Sequence, residues 1–396
     1  MRVLVHDYCG HPFQVQLSRA LAARGHAVVH SYCAATLSGR GRLDAEPGDT
    51  VRFEAIGVGG SVQRERYAVR LLQELGYGRE LLAQVRRERP DVVLAANLPV
   101  MTLTVLALGL MVRRVPWVLW HQDVHAVALR SFAGQQLSRA FVVVARVFAV
   151  LERWASRRAA GVVVIADSFL EVHREWGTEA KTVVIPNWAP LDEIVPRPRH
   201  NAWSAAQGLD DVATLLYSGT LGLKHDPGLL VQVAAELSRI GSPVRLVVVN
   251  EGPAQELIAR EASAAGVEVT LLPFQPYEDL PDVLGAGDVL VVLLERSAGA
   301  FSVPSKTLSY LCAGRPVLGL VPKENLAAEL IEEVEGCVLP PDADSVPAAA
   351  AWVADVLADP DRRARLGEQS RALAEREFAL EGCTDRFEAV LRRAVG

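Results

Sequence analysis

The chain has 396 residues, half of them hydrophobic, and a formal net charge of −6. That composition describes a globular protein long enough for two domains with separate cores, and it excludes a disordered chain. The acidic balance argues against bulk nucleic-acid binding, and five scattered cysteines without Cys-x-x-Cys or Cys/His metal spacing read as reduced thiols.

In chain order, residues 2–8 predict a buried strand, too short for the apolar region of a signal peptide. Residues 9–14 predict a loop, 16–24 a helix stopped by Gly25, and 26–33 a second strand. This opening lacks the Gly-x-Gly-x-x-Gly of dinucleotide folds. Further strands are expected at 52–56, 92–95, 117–121, 161–165 and 182–185, alternating with helices at 67–88, 101–112, 135–158 and 168–176. Such alternation means a parallel sheet covered on both faces. The apolar runs 98–112 and 141–151 fall short of the roughly 20 residues that cross a bilayer, so no transmembrane helix is expected.

Prolines 186, 190, 196 and 198 close this series and read as a linker. A second alternating series runs from 213 to 333, followed by helices at 348–357, 363–378 and 381–394. The fold class is therefore α/β with two parallel-sheet domains, residues 1–195 and 200–378. Charge divides between them. Residues 1–195 carry 23 Lys/Arg against 18 Asp/Glu, and the remainder is strongly acidic. A mildly basic first half suits an anionic membrane surface. The helix at 135–158 places Phe141, Val144, Phe148, Leu151 and Ala155 on one stripe, with Arg139, Arg146, Arg153 and Arg157 elsewhere. That pattern fits an interfacial helix or one buried on a sheet face.

Two segments carry anion-binding chemistry. Ser302-Val-Pro-Ser-Lys-Thr-Leu-Ser-Tyr-Leu-Cys-Ala-Gly-Arg-Pro-Val317 is a turn running into a helix that stops at Gly314. Free N–H groups and the positive dipole end lie at its start, and Lys306 adds a charge. Upstream, Gly219-Thr-Leu-Gly-Leu-Lys-His-Asp-Pro227 places Lys224 on a turn between strand and helix, in reach of a phosphate.

Together these segments resemble the donor half of GT-B glycosyltransferases of family 4, in the bacterial polysaccharide and O-antigen branch similar to N-acetyl-L-fucosamine transferases. The resemblance covers essentially the whole chain. It implies two Rossmann-like domains facing a cleft, with residues from about 380 to 396 crossing back to the N-terminal domain. It implies a retaining transfer from a UDP-sugar, an N-acetylated hexosamine or deoxyhexosamine, to a hydroxyl of a lipid-linked saccharide in surface polysaccharide synthesis, by a cytoplasmic protein peripheral to the inner face of the membrane. The nucleotide sugar is a substrate, and neither a cofactor nor a metal is expected.

Carried over residue by residue, the resemblance puts the donor on Gly219, Thr220, Lys224, Gly252, Phe274, Ser302, Val303, Pro304, Ser305, Lys306 and Ser309. Phe274 would stack on the base. Thr220 stands where family members usually have Arg, and Lys306 would replace that cation. Of the family's two glutamates, the second, a ribose ligand, aligns with Ser309, and the first falls near 300–302, so neither carboxylate is present. On the acceptor side, Trp117 to His121 predicts a strand whose C-terminal end delivers His121, Asp123 and His125, sharing a face if the strand continues. Asp123 aligns best with the family's reactive position and His121 second; with Lys224 they form the expected catalytic set. Gly10, His11, Phe13 and Gln14 lie on the loop after the first strand, where backbone N–H groups and Gln14 would touch sugar or acceptor. The strings Asp342-Ala-Asp344 and Asp359-Pro-Asp361 read as turn and cap residues rather than metal ligands. Alternatives that share the architecture are a transferase acting on a soluble small molecule such as an antibiotic aglycone, and a UDP-sugar 2-epimerase.

Overall fold

The computed structural model describes residues 1–8, 10–34, 42–45, 47–57, 67–122, 139–221, 225–296 and 305–396. The chain divides into two compact units, Met1–Asn187 with Leu380–Gly396, and Trp188–Ala379.

In the first unit, strands β1 (Arg2–Asp7), β2 (Ala27–Cys33), β3 (Arg52–Ile56), β4 (Val92–Ala96), β5 (Trp117–His121), β6 (Gly161–Val164) and β7 (Thr182–Val184) pair in parallel, in the order β3-β2-β1-β4-β5-β6-β7. The order reverses between β1 and β4. Every residue of β4 and β5 is buried, as expected for strands covered on both faces. Helices α1 (Pro12–Ala23), α2 (Tyr67–Glu88), α3 (Val100–Arg113), α4 (Arg139–Arg158) and α5 (Leu170–Trp176) connect the strands. A Cβ at Gly109 would lie 2.2 Å from a Leu82 side-chain carbon, so α2 and α3 approach closely only because position 109 is bare.

The second unit repeats the plan. Strands β8 (Thr214–Ser218), β9 (Arg245–Val249), β10 (Val269–Leu272), β11 (Val289–Leu293), β12 (Val317–Leu320) and β13 (Cys337–Leu339) run in parallel in the order β10-β9-β8-β11-β12-β13. Its helices are α6 (Ala202–Ala206), α7 (Gly228–Arg239), α8 (Ala254–Ala265), α9 (Leu280–Gly285), α10 (Ser305–Cys312), α11 (Leu326–Glu333), α12 (Val346–Ala358) and α13 (Pro360–Glu377). The last helix, α14 (Leu380–Val395), returns to the first unit. There the Phe387 ring packs 4.5 Å from that of Trp120 on β5, and Glu388 pairs with Arg24 and His26.

Several elements differ from expectation. Helix α1 starts at Pro12, not at 16, so Phe13 and Gln14 are helical rather than loop. Proline's fixed φ suits a first helical position, and the buried Asp7 carboxylate accepts the His11 N–H at the helix entry. The division between units falls after Asn187 because Ala189 and Ile194 belong to the second unit's core. Strand β13 and helix α6 were not foreseen. The first has three residues, and the second has five, held by a capping box between Asn201 and Ser204. Asp342 and Asp359 cap the N–H groups of Ser345 and Arg362, as expected.

Three histidines are buried without charge in the first unit. Burial pushes His6 and His173 down to about 3 and His30 down to about 4. Each has a hydroxyl partner: Ser31 at 2.7 Å, Thr178 at 2.9 Å and Ser18 at 2.8 Å respectively. Between pH 6.5 and about 4 the unfolded chain binds protons here that the folded chain does not. Stability should therefore hold above pH 6.5 and fall below it, by about 1.4 kcal/mol per pH unit for each histidine. Urea midpoints at pH 7.5 and pH 5 measure this, and equal midpoints would contradict it.

Candidate active site

At the C-terminal edge of the second sheet, the order reverses between β8 and β11. Gly219 follows β8 with φ 141°, and its N–H donates to Val249 O at 2.9 Å. A Cβ there would sit 3.1 Å from Cε and 3.3 Å from Nζ of Lys306, so glycine leaves room for that side chain. Lys306 lies in the first turn of α10. Its Nζ donates to the Tyr217 hydroxyl and stands 4.2 Å from the Tyr217 ring centroid. The Tyr217 hydroxyl in turn donates to Thr220 O at 2.9 Å. One turn on, the Tyr310 hydroxyl donates to Ser218 O at 3.1 Å and accepts the Ser218 N–H at 2.9 Å. The helix N-terminus is thus fastened to the turn after β8. Burial pushes the Lys306 ammonium down to about 7, and no carboxylate among the described residues contributes to the shift.

Other expected donor residues take scattered places on this edge. Gly252 follows β9 with φ 109°. Phe274, after β10, is 45% exposed, and Ser309 is half-buried in α10. Lys224, Ser302, Val303 and Pro304 lie outside the described residues, as does the side chain of Ser305. Sequence reasoning missed Asn250 and Thr307. Both are buried, and Asn250 Oδ1 and Thr307 Oγ1 have no hydrogen-bond partner among the described residues. An Asn ending the run Val247-Val-Val-Asn250 was the available signal.

In the first unit, the first of the polar groups expected at the end of β5 is His121. The strand ends at His121, which is 5% exposed. Its Nδ1 lies 3.2 Å from His173 Nε2 and its Nε2 lies 3.1 Å from Glu152 Oε1. Both ring nitrogens thus lie within hydrogen-bond distance of side chains from later helices of the same unit. Asp123 and His125 lie outside the described residues. Gln122, which was not singled out, donates to Asn187 Oδ1 at 3.0 Å.

The ends of β1 and β4 bring together Asp7, Gly10, His11 and Asn97. Asp7 Oδ1 accepts from Asn97 Nδ2 at 2.8 Å, and the same Nδ2 lies 3.2 Å from His11 Nδ1. Gly10 and Asn97 have left-handed backbones, with φ 73° and 54°. Phe13 is half-buried in the first turn of α1. Gln14, expected to reach a ligand, is fully buried there, with neither side-chain atom partnered.

Helix α4 settles the choice left by its stripe only in part. Ala155 is buried and Phe148 and Leu151 are half-buried, while Val143, Val144, Val147 and Val150 are 48–65% exposed. On α3, which packs against α4, Leu108, Met111 and Val112 are also exposed. Among the described residues no helix is long and apolar enough to cross a membrane, and no group of three His, Cys, Asp or Glu is placed to hold a metal.

Residues 11–188 match the family model described as a glycosyl transferase 4-like domain, and residues 201–373 match glycosyl transferases group 1. The alpha-D-kanosaminyltransferase of Streptomyces kanamyceticus is 28% identical over 61% of this chain and 62% of its own length. The GDP-mannose-dependent alpha-(1-6)-phosphatidylinositol monomannoside mannosyltransferase of Mycolicibacterium smegmatis is 28% identical over 52% of this chain and 53% of its own. The chain therefore spans between about half and three fifths of the length of these curated relatives. Among solved structures, Anabaena HepE in complex with UDP and glucose superposes with a TM-score of 0.73 at 17% identity, over 99% of each chain. With both units matched in turn, and with a last helix that rejoins the first, the chain belongs to the GT-B glycosyltransferases of family 4.

Proposed function

We propose that the protein is a retaining transferase that moves an N-acetylated hexosamine or deoxyhexosamine from a UDP-sugar to a hydroxyl of a lipid-linked saccharide. The observation that carries the donor side is the fastening of α10 to the Gly219 turn, with Lys306 between them. Breaking the sugar–phosphate bond leaves charge on the diphosphate, and fixed donors at that point are what lower the barrier. Lys306, Lys224 and the α10 N–H groups would supply them. Gly252, Phe274 and Ser309 would meet the base and ribose. Asp123 would take the proton of the attacking hydroxyl, with the leaving phosphate oxygen as its helper, while His125 would lie on the acceptor side. The UDP in the HepE complex supports the choice of nucleotide. The mannosyltransferase relative uses GDP-mannose, so a binding screen of UDP-, GDP- and dTDP-sugars is the direct test. Binding of none of them would sink the reading.

Lys306→Met should lower kcat by about 10²–10³-fold with little change in Tm, because one such donor is worth about 3–4 kcal/mol in the transition state. Without ligand, Lys306 is protonated below about pH 7 and neutral above it. A bound diphosphate restores the charge, so nucleotide affinity should weaken as pH rises past 7. That slope should vanish in Lys306→Met, and titration calorimetry at pH 6 and pH 8.5 reads both.

Turnover is expected without divalent metal, since a lysine and a helix N-terminus can do an ion's work at the phosphates. Loss of activity in EDTA with recovery in Mg²⁺ or Mn²⁺ would reverse this.

The lipid-linked acceptor is supported by the exposed valines of α4 beside Arg146 and Arg153. Apolar side chains flanked by arginines suit an anionic bilayer, at about 1 kcal/mol per basic residue near the surface. The kanosaminyltransferase relative favours the second reading, a soluble small-molecule acceptor. Flotation with anionic liposomes separates them. Salt-sensitive binding that is lost in Val147→Ser/Val150→Ser supports the lipid acceptor; no binding favours the soluble one.

A further inference from the structure

At the edge of the second sheet opposite the Gly219 turn, where the strands begin, three arginines gather around one carboxylate. Asp288 immediately precedes β11. Its Oδ2 accepts from Arg199 Nε and from the Thr214 N–H, each at 2.9 Å, and its Oδ1 accepts from Arg363 Nη1 at 2.9 Å. The third arginine, Arg315, lies just before β12 and donates through Nη2 to Arg197 O at 2.6 Å. Two guanidinium nitrogens of this group, Arg199 Nη1 and Arg315 Nε, are buried and have no hydrogen-bond partner among the described residues.

The backbone around the cluster is tightly held. A Cβ at Gly367 on α13 would lie 2.3 Å from Gly314 O, and Ser370 Oγ donates to Arg315 O at 3.1 Å, so α13 is pressed onto the turn that carries Arg315. Arg199 is tied by bonds from Nη2 to Leu209 O and Val212 O, and its side chain is only 12% exposed. A guanidinium does not shed its proton in a protein. Burial pushes Arg315 below the ordinary arginine range, Arg199 and Arg363 push the same way, and Asp288 is the one carboxylate among the described residues that opposes them. Arg371, two turns on along α13, shows the contrast: it donates to three backbone carbonyls and pairs with Glu375. A buried donor without an acceptor forfeits the hydration it had in the unfolded chain, and here two such donors carry excess positive charge.

We propose that this arginine cluster binds a small inorganic anion, of the size of chloride or phosphate, which accepts from Arg315 Nε and Arg199 Nη1 and balances the charge that Asp288 leaves over. Guanidinium groups form their strongest hydrogen bonds with anions. The burial of both donors sets the small size, and the Arg363 side chain, 30% exposed, gives the cluster an edge to solvent. The site is separate from the donor edge. Strand β8 runs five residues from Thr214, beside the cluster, to Ser218, beside Gly219, about 13 Å at the rise of a strand. The inference does not rest on the transferase reading.

The full chain is melted in sodium gluconate, whose bulky anion is the control, and again with sodium chloride or sodium phosphate replacing it at constant ionic strength. A bound anion at about twenty times its Kd should raise Tm by about 3 °C or more. The rise should saturate, survive in Lys306→Met, where the donor edge has lost its ammonium, and disappear in Arg315→Met. Arg363→Gln should weaken the anion's Kd by about fivefold or more. If Arg315→Met does not fold, Arg363→Gln decides, and an unchanged Kd there overturns the proposal. The chloride and phosphate arms tell a halide-sized site from an oxyanion site. No saturable rise with either anion, a rise that Arg315→Met keeps, or one that Lys306→Met abolishes would also overturn it.

Discussion

The hydroxyl of Tyr310 accepts from the N–H of Ser218 and donates to its carbonyl, and the rest of the donor edge depends on that pair of bonds. Ser218 ends β8, and its register against β9 is set by five paired residues. Tyr310 is one turn into α10. Joining them fixes where the N-terminus of the helix lies against the turn at Gly219. Lys306 then has one place to go, over the Tyr217 ring, and glycine at 219 is what leaves that place open. A helix end and an ammonium are both mobile when free; here both are already ordered, so the diphosphate proposed above would lose little of its binding energy to positioning.

The two units solve the same problem with different chemistry. Each gathers polar groups where its strand order reverses. The second unit uses tyrosines and a lysine, which suits an anion. The first uses a buried carboxylate, an amide and an imidazole, which suits neutral hydroxyls.

Much of the fold was legible because its signal is long-range and redundant. Alternating strands and helices of ordinary length announce two parallel sheets, and α2 begins and ends where its periodicity does. What failed was short or depended on partners far away in sequence. The entry of α1 is set by Asp7 receiving the His11 N–H, which a loop-like Gly-His-Pro does not advertise. The contacts of His121 with Glu152 and His173, from two later helices, were likewise invisible in the strand that it ends. At the donor edge, Lys306 was visible as a charge near a helix start. Its seat on Tyr217 was not, since nothing in the run ending β8 marks that tyrosine as its partner.

The return of α14 has a consequence for how the protein comes into being. The Trp120 face of the first sheet is covered by Phe387, which is synthesised after the whole of the second unit. During translation that face stays wet, and Arg24 and His26 wait for Glu388. The first unit to be made is thus the last to be finished. A growing chain carries an exposed apolar sheet through the synthesis of its neighbour, and the second unit, whose sequence is contiguous, can close while the first is still open.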